Sequence, residues 1–180
     1  MTRCVAFLRA INVGGHTVTM DRLRAEFEAL DVANVETFIA SGNVIFETAS
    51  RSAAALERRI EARLRTSLGY EVTTFLRTVT ELDALLADPP FRATDLAKGT
   101  LFIGFLGTAP APAAARAAAA LSTSSDTVRV RGREVYWLAR QGFAKATVSA
   151  AQLEKTLGQK ATFRNVSTVA KLRLKFGNDE

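Results

Sequence analysis

The residues best able to hold a ligand fall in three stretches. "NVGGHTV", residues 12 to 18, lies between an apolar strand-like run and a helix beginning near Thr19. Gly14 and Gly15 let backbone N–H groups approach an anion, and a helix N-terminus behind them favours negative charge. "FIASGNVIF", residues 38 to 46, is two apolar runs hinged on Gly42-Asn43, with the Ser41 hydroxyl and the Asn43 amide at the edge. Turn chemistry alone accounts for that pair, since Gly takes the positive φ of a primed two-residue turn and Asn tolerates it. Such a loop pairs Ser41 with Val44 and Ile39 with Phe46. "TVRVRGREVYWLA", residues 127 to 139, is a second hairpin around Gly132-Arg133. There Val128, Val130, Val135 and Trp137 share one face, and Arg129, Arg131, Glu134 and Tyr136 share the other. A basic face with an aromatic ring suits phosphate contacts and base stacking. The plain alternative is an Arg131–Glu134 cross-strand ion pair on a solvated face.

None of these stretches holds a recognisable catalytic set. There is no Gly-Lys-Ser/Thr phosphate loop and no Gly-x-Gly-x-x-Gly dinucleotide turn. His16 is the sole histidine and Cys4 the sole cysteine, so zinc sites and His-based triads lack their parts. Carboxylate pairs such as Glu57/Glu61 and Asp83/Asp88 suit solvated helix faces. No catalytic residue, metal ligand or cofactor is assigned.

The net charge of +6 is unevenly spread. Residues 1 to 119 hold thirteen Lys/Arg and thirteen Asp/Glu. Residues 120 to 176 hold eleven Lys/Arg against Asp126, Glu134 and Glu154, hence +8, and the tail Asp179-Glu180 returns −2. Lys171 and Lys175 sit an i,i+4 step apart on a helix, a repulsion that an anion would relieve. A basic half attached to a neutral half suits an anionic partner, either nucleic acid or a phosphorylated small molecule. The start "MTRCVAFLRAINVGG" lacks a signal-peptide pattern, and no run reaches the ~20 apolar residues of a membrane span. With a lone cysteine, the expected location is the reducing cytoplasm.

The elements that must position these residues come in one order, twice. Residues 3 to 11 read as a buried strand, and "MDRLRAEFEAL" as a helix capped by Thr19. The 38–46 stretch supplies a hairpin. "SAAALERRIEARLRTSLG" places Leu56, Ile60 and Leu64 on one helical side and stops at Gly69. "EVTTFLRT" is a strand, and Thr78 and Glu81 have capping-box spacing for a helix ending before Pro89-Pro90. The second half repeats this: "GTLFIGFLG", "PAPAAARAAAAL", the Gly132 hairpin, "SAAQLEKTLG", "ATFRNV" and "STVAKLRLKF". "SAAALERRI" and "SAAQLEKTL" match at an offset of 97, and the hairpin glycines at 90, with Phe46 facing Tyr136. The expected fold is α+β, a tandem duplication of a split-βαβ, ferredoxin-like unit, each β-α-β-β-α-β-α, over residues 1–93 and 94–180. An open sheet must cover or wet its second face, so the two sheets either pack together or frame a cleft.

The run "RAINVGG" (Arg9 to Gly15), the Ser41-Gly42-Asn43 hairpin, and "RNVSTVAKL" with Arg164, Asn165, Thr168 and Val169 together resemble the bacterial family of unknown function DUF1697. The likeness runs nearly end to end. The chain departs at Val166-Ser167, where relatives usually place Trp-Asn, and at Ala144-Lys145-Ala146, where a Ser-Lys motif is expected. The resemblance implies a duplicated α+β fold and brings no activity with it. Candidate ligand-binding residues are Arg9, Asn12, Gly14, Gly15, Ser41, Asn43, Arg77, Arg164, Asn165, Thr168 and Lys171. Candidates for nucleic acid are Arg129, Arg131, Tyr136 and Lys175. The expected function is non-catalytic binding of an anionic ligand. The alternative is an enzyme acting on an anionic metabolite, with Arg9, Asn12, Ser41, Asn43, Arg77 and Arg164 converging in a cleft between the units. A third reading is a protein-interaction adaptor paired through sheet edges.

Overall fold

A computed structural model describes residues 1–176. The first run of elements is β1 (Thr2–Leu8), α1 (Met20–Glu28), β2 (Ala33–Phe38), β3 (Asn43–Thr48), α2 (Ala53–Leu68), β4 (Thr74–Thr78) and α3 (Val79–Ala87). A one-turn helix, α4 (Ala93–Leu96), leads into β5 (Thr100–Leu106), α5 (Pro112–Ala119), β6 (Asp126–Arg131), β7 (Glu134–Ala139), α6 (Ala150–Leu157), β8 (Ala161–Asn165) and α7 (Val166–Phe176). The protein is thus mixed α+β, with two four-stranded antiparallel sheets and seven α-helices among the described residues. The sheets have matching strand orders, β2-β3-β1-β4 and β6-β7-β5-β8. Two compact units result among the described residues: Met1–Asp83 with residues 172–176, and Ala84–Lys171. We call them the first and second unit.

Local chemistry sets the helix ends. Thr19 accepts from the Arg22 amide and Ser52 from the Ala55 amide, and Gly69 closes α2 at φ 83°. Ser149 and Gln152 form a reciprocal capping box at α6, with Gly158 ending it at φ 69°. Thr78 and Glu81 do the same at α3, each accepting from the other's backbone N–H. Ser52 and Ser149, 97 residues apart in the sequence, therefore start equivalent helices.

Strand periodicity sorts the cores. In the first unit Cys4, Ala6, Leu8, Val44, Phe46 and Leu76 face Leu56, Ile60 and Leu64 of α2. In the second, Val128, Val135, Trp137 and Leu106 pack with Leu153 and Leu157 of α6. The residues alternating onto the opposite sheet faces are buried as well: Val5, Phe7, Ile45 and Phe75 in one unit, Ile103, Phe105, Tyr136 and Leu138 in the other.

The two hairpins differ, which corrects the expected register. In the first unit Phe38 pairs with Asn43 and Thr37 with Val44, so the loop is residues 39–42 and not a two-residue turn. Ile39 sits at φ 52° and Gly42 at φ 80°. Leu8 donates its N–H to the Gly42 carbonyl at 2.8 Å, and a Cβ at Gly42 would meet Ile11 Cγ2 at 2.6 Å. Close approach of β1 thus fixes this loop more than turn type does. In the second unit Arg131 pairs with Glu134 across Gly132-Arg133, the two-residue loop that was expected there. Aligning the last hairpin pairs makes Trp137 the counterpart of Phe46, and both are core residues. The expected match of Phe46 with Tyr136 is one residue out. The first strand also stops at Leu8 and not at residue 11, because Ala10 turns to φ 57°.

Candidate functional site

In the first unit, the glycine loop and the hairpin loop come together. The Asn12 amide donates to the Ala40 carbonyl at 3.0 Å, and its oxygen accepts from the Val18 N–H at 2.7 Å. Asn12 therefore fastens two loops with both ends of its side chain. Asn43, fully buried, donates to Phe38 O and to Ser41 Oγ. Gly14 and Gly15 lie at φ 64° and 85° within a turn closed by His16 N–H to Val13 O. Positive φ at both central residues is what a type I′ turn requires, so this turn explains the two glycines. The His16 ring stacks on Tyr70 at 3.8 Å, and the Tyr70 hydroxyl donates to Ile11 O. Arg9 is half-buried, with its N–H on Thr73 O.

Arg77 and Arg164 hold matching places in the two units. Each lies on the fourth strand, opposite Val5 and Ile103 respectively. Each donates Nη1 to the preceding carbonyl, Leu76 O at 2.7 Å and Phe163 O at 3.0 Å. Arg164 also donates to Thr162 Oγ1. Burial lowers its pKa to about 10, which leaves it charged at neutral pH. The residue after each arginine serves the next helix, Thr78 through its hydroxyl and Asn165 by accepting from Ser167 N–H. Thr168 is half-buried and Lys171 exposed on α7.

The second hairpin is less open than its sequence suggests. Arg129 donates to Pro90 O at 2.6 Å and lies 5.0 Å from the Phe91 ring centre. Arg131 donates to the carbonyl and carboxylate of Asp88 at 2.7 and 3.1 Å, so its ion-pair partner is Asp88, where Glu134 was expected. Both arginines thus hold the segment following α3. Tyr136 is 2% exposed and has no open ring face on which a base could stack. In the first unit, Lys175 lies 4.0 Å from Glu36 and 5.7 Å from the Phe38 ring.

What remains open in the second unit is a set of lysines. Lys145, Lys155, Lys160 and Lys171 are exposed and make no ion pair among the described residues. The unit carries twelve Lys/Arg against five Asp/Glu, a net +7. Asp126 adds nothing to the surface balance: fully buried, it accepts from Trp137 Nε1 at 2.8 Å and from Thr147 N and Oγ1 at 2.6 Å. Burial pushes this carboxyl up, but the hydrogen bonds from Thr147 and Trp137 outweigh it and hold the group below its ordinary range. Sequence reasoning missed this role because a lone Asp opening a strand gives no sign of what it will face.

Also missed is a cavity of about 540 Å³ at the edge of the first unit, lined in part by Cys4, Thr48, Arg51, Ser52, Thr78 and Glu81. Burial and then the Glu81 carboxylate push the Cys4 thiol up to about 11, which removes it as a nucleophile at neutral pH. Among the described residues no three His, Cys, Asp or Glu side chains group as a metal site needs, and no helix is long and apolar enough to cross a membrane.

No curated protein matches the chain. Among solved structures, the conserved bacterial protein SP0830 from Streptococcus pneumoniae superposes with a TM-score of 0.73 at 23% identity, covering 96% of this chain and 97% of that one. That likeness is one of fold. The family model described as protein of unknown function DUF1697 matches residues 1–136, which contain both the Asn12 loop and the Ser41-Gly42-Asn43 hairpin. The chain belongs to the DUF1697 family.

Proposed function

We propose that the protein is a non-catalytic binder of anionic polymers, with single-stranded nucleic acid as the ligand class. The observation that carries this reading is the second unit's exposed lysines, which make no ion pair among the described residues, while Asp126 is buried and Asp88 is engaged by Arg131. Lys145, Lys155, Lys160 and Lys171 lie on several elements and do not converge on one point of the sequence. Dispersed cations of this kind suit a chain of phosphates more than a single small anion. Arg164, charged and buried, holds its own strand through Thr162 Oγ1 and the Phe163 carbonyl. We further read each unit as a split-βαβ, ferredoxin-like fold, since β1 and β2 flank β3 and β5 and β6 flank β7. A cytoplasmic location follows from the reading of Cys4 as a buried, unpaired thiol.

Fluorescence anisotropy of labelled single-stranded RNA and DNA at two salt concentrations tests the reading. Binding is expected at low salt and should weaken steeply as salt rises, because phosphate contacts release counterions. Absence of binding at low salt removes it.

The cavity in the first unit favours a second reading, a small anionic metabolite. Its volume lies within the range of small-molecule sites, and Arg51 at its lining has no ion pair among the described residues. Thermal-shift screening of phosphorylated metabolites with the Arg51→Gln variant as control would support this reading if stabilisation depends on Arg51. A ligand that stabilises both proteins equally would count against it.

A further inference from the structure

Among the described residues, the large apolar side chains left exposed are Met1, Val13, Ile39, Phe143 and Leu174, and Phe143 alone is aromatic. It is 54% exposed and opens a 3-10 turn, Phe143–Lys145, on the loop after β7. The ring is anchored by two neighbours: it meets Phe102 at 5.3 Å and 62°, and Trp137 at 5.3 Å and 47°. Trp137 is itself fixed by Phe163 at 85° and by its indole bond to Asp126. The loop is pinned on either side of the ring. Arg140 donates its N–H to Ser125 O, and Thr147 donates both its N–H and its hydroxyl to Asp126. Gly142, at φ 75°, gives the bend that turns the chain into the 3-10 helix.

A ring held by two aromatic neighbours and still 54% exposed leaves much of its apolar surface in water, which folding alone does not call for. Cations are its near neighbours along the chain. Lys145, two residues on, is exposed and makes no ion pair among the described residues, and Arg140, three residues back, is half-buried with its guanidinium on Thr127 Oγ1. Gly99 packs against the backbone of Ala139 and Arg140, which brings the exposed Lys98 to the same end of the sheet. An aromatic platform beside phosphate-binding cations is the arrangement that single-stranded nucleic acid uses, base on ring and phosphate on lysine.

We propose that Phe143 is the stacking platform for a nucleobase, with Lys145 holding an adjoining phosphate. This rests on the reading of the second unit as a nucleic-acid binder and supplies the aromatic contact that buried Tyr136 does not.

The test titrates a short labelled single-stranded RNA, and the matching DNA, into wild type, Phe143→Leu, Phe143→Tyr and Lys145→Gln at several salt concentrations. Phe143→Leu should weaken binding by roughly ten- to a hundred-fold with the salt slope unchanged, while Phe143→Tyr keeps the affinity. Lys145→Gln should instead reduce the slope, by about 0.7 for one phosphate contact on a single strand. Trp137, the only tryptophan, touches the platform and should change its emission on binding in wild type and much less in Phe143→Leu. Where Phe143→Leu melts early, Phe143→Met takes its place. Wild-type binding with an undiminished Phe143→Leu or Phe143→Met affinity overturns the platform and leaves the unit's binding role standing. No wild-type binding at low salt overturns both.

Discussion

Asp126 shows how a residue with the chemistry of a site can be a fastening. Its carboxylate gathers the Trp137 indole, the Thr147 hydroxyl and the Thr147 amide, and so ties the start of β6 to β7 and to the loop that carries Phe143. Because its folded pKa is held below the ordinary range, its contribution is complete above the unfolded value of about 3.9 and is lost as pH falls through the lower folded value. Asp126→Asn should cost about 2–3 kcal/mol in urea denaturation at pH 7 and flatten the loss of stability below pH 4. An unchanged acid limb would remove the assignment. Cys4 gives a second residue-scale expectation. With its thiol near 11 and 7% exposure, alkylation by iodoacetamide at pH 7 should be slow in the native protein and fast once urea unfolds it. Fast native labelling would mean that the thiol is neither buried nor raised as described.

At the scale of elements, much was legible where local chemistry decides. Thr19 and the Thr78/Glu81 pair cap the helices they were expected to cap, since a cap needs only its own first turn. Alternation in β6 and β7 likewise sorted Val128 and Trp137 from Arg129 and Tyr136. The 39–42 loop was misread because its shape is set at a distance, by Leu8 and Ile11 pressing on Gly42. Tyr136 was misread for a related reason: period two assigns a residue to a face and is silent on whether that face is covered. Two glycines test the packing part of this account. Gly42→Ala faces both a left-handed backbone and Ile11 Cγ2 at 2.6 Å, and should cost about 2–4 kcal/mol. Gly104→Ala would drive its Cβ into the Phe163 ring and should cost about 1–3 kcal/mol. Urea midpoints unchanged in either variant would contradict those contacts.

At the scale of the whole chain, the charge asymmetry was plain from counting, while its meaning needed coordinates. The sequence could not separate cations that hold the protein together from cations that remain available. Arg129 and Arg131 turned out to secure residues 88–91, and Arg164 to lie beneath the surface, whereas Lys145, Lys155, Lys160 and Lys171 stand free of ion pairs among the described residues. The fold is shared with a bacterial protein at 23% identity, and the family carries no assigned activity, so function has to be tested on these side chains directly. The most direct measurement is the slope of log affinity for single-stranded RNA against log salt, for wild type and for a variant with all four lysines changed to Gln. A steep negative slope in wild type, shallower by about 0.7 for each lysine that meets a phosphate, is the expected result. Identical slopes in the two proteins, or no measurable affinity at low salt, would contradict the account.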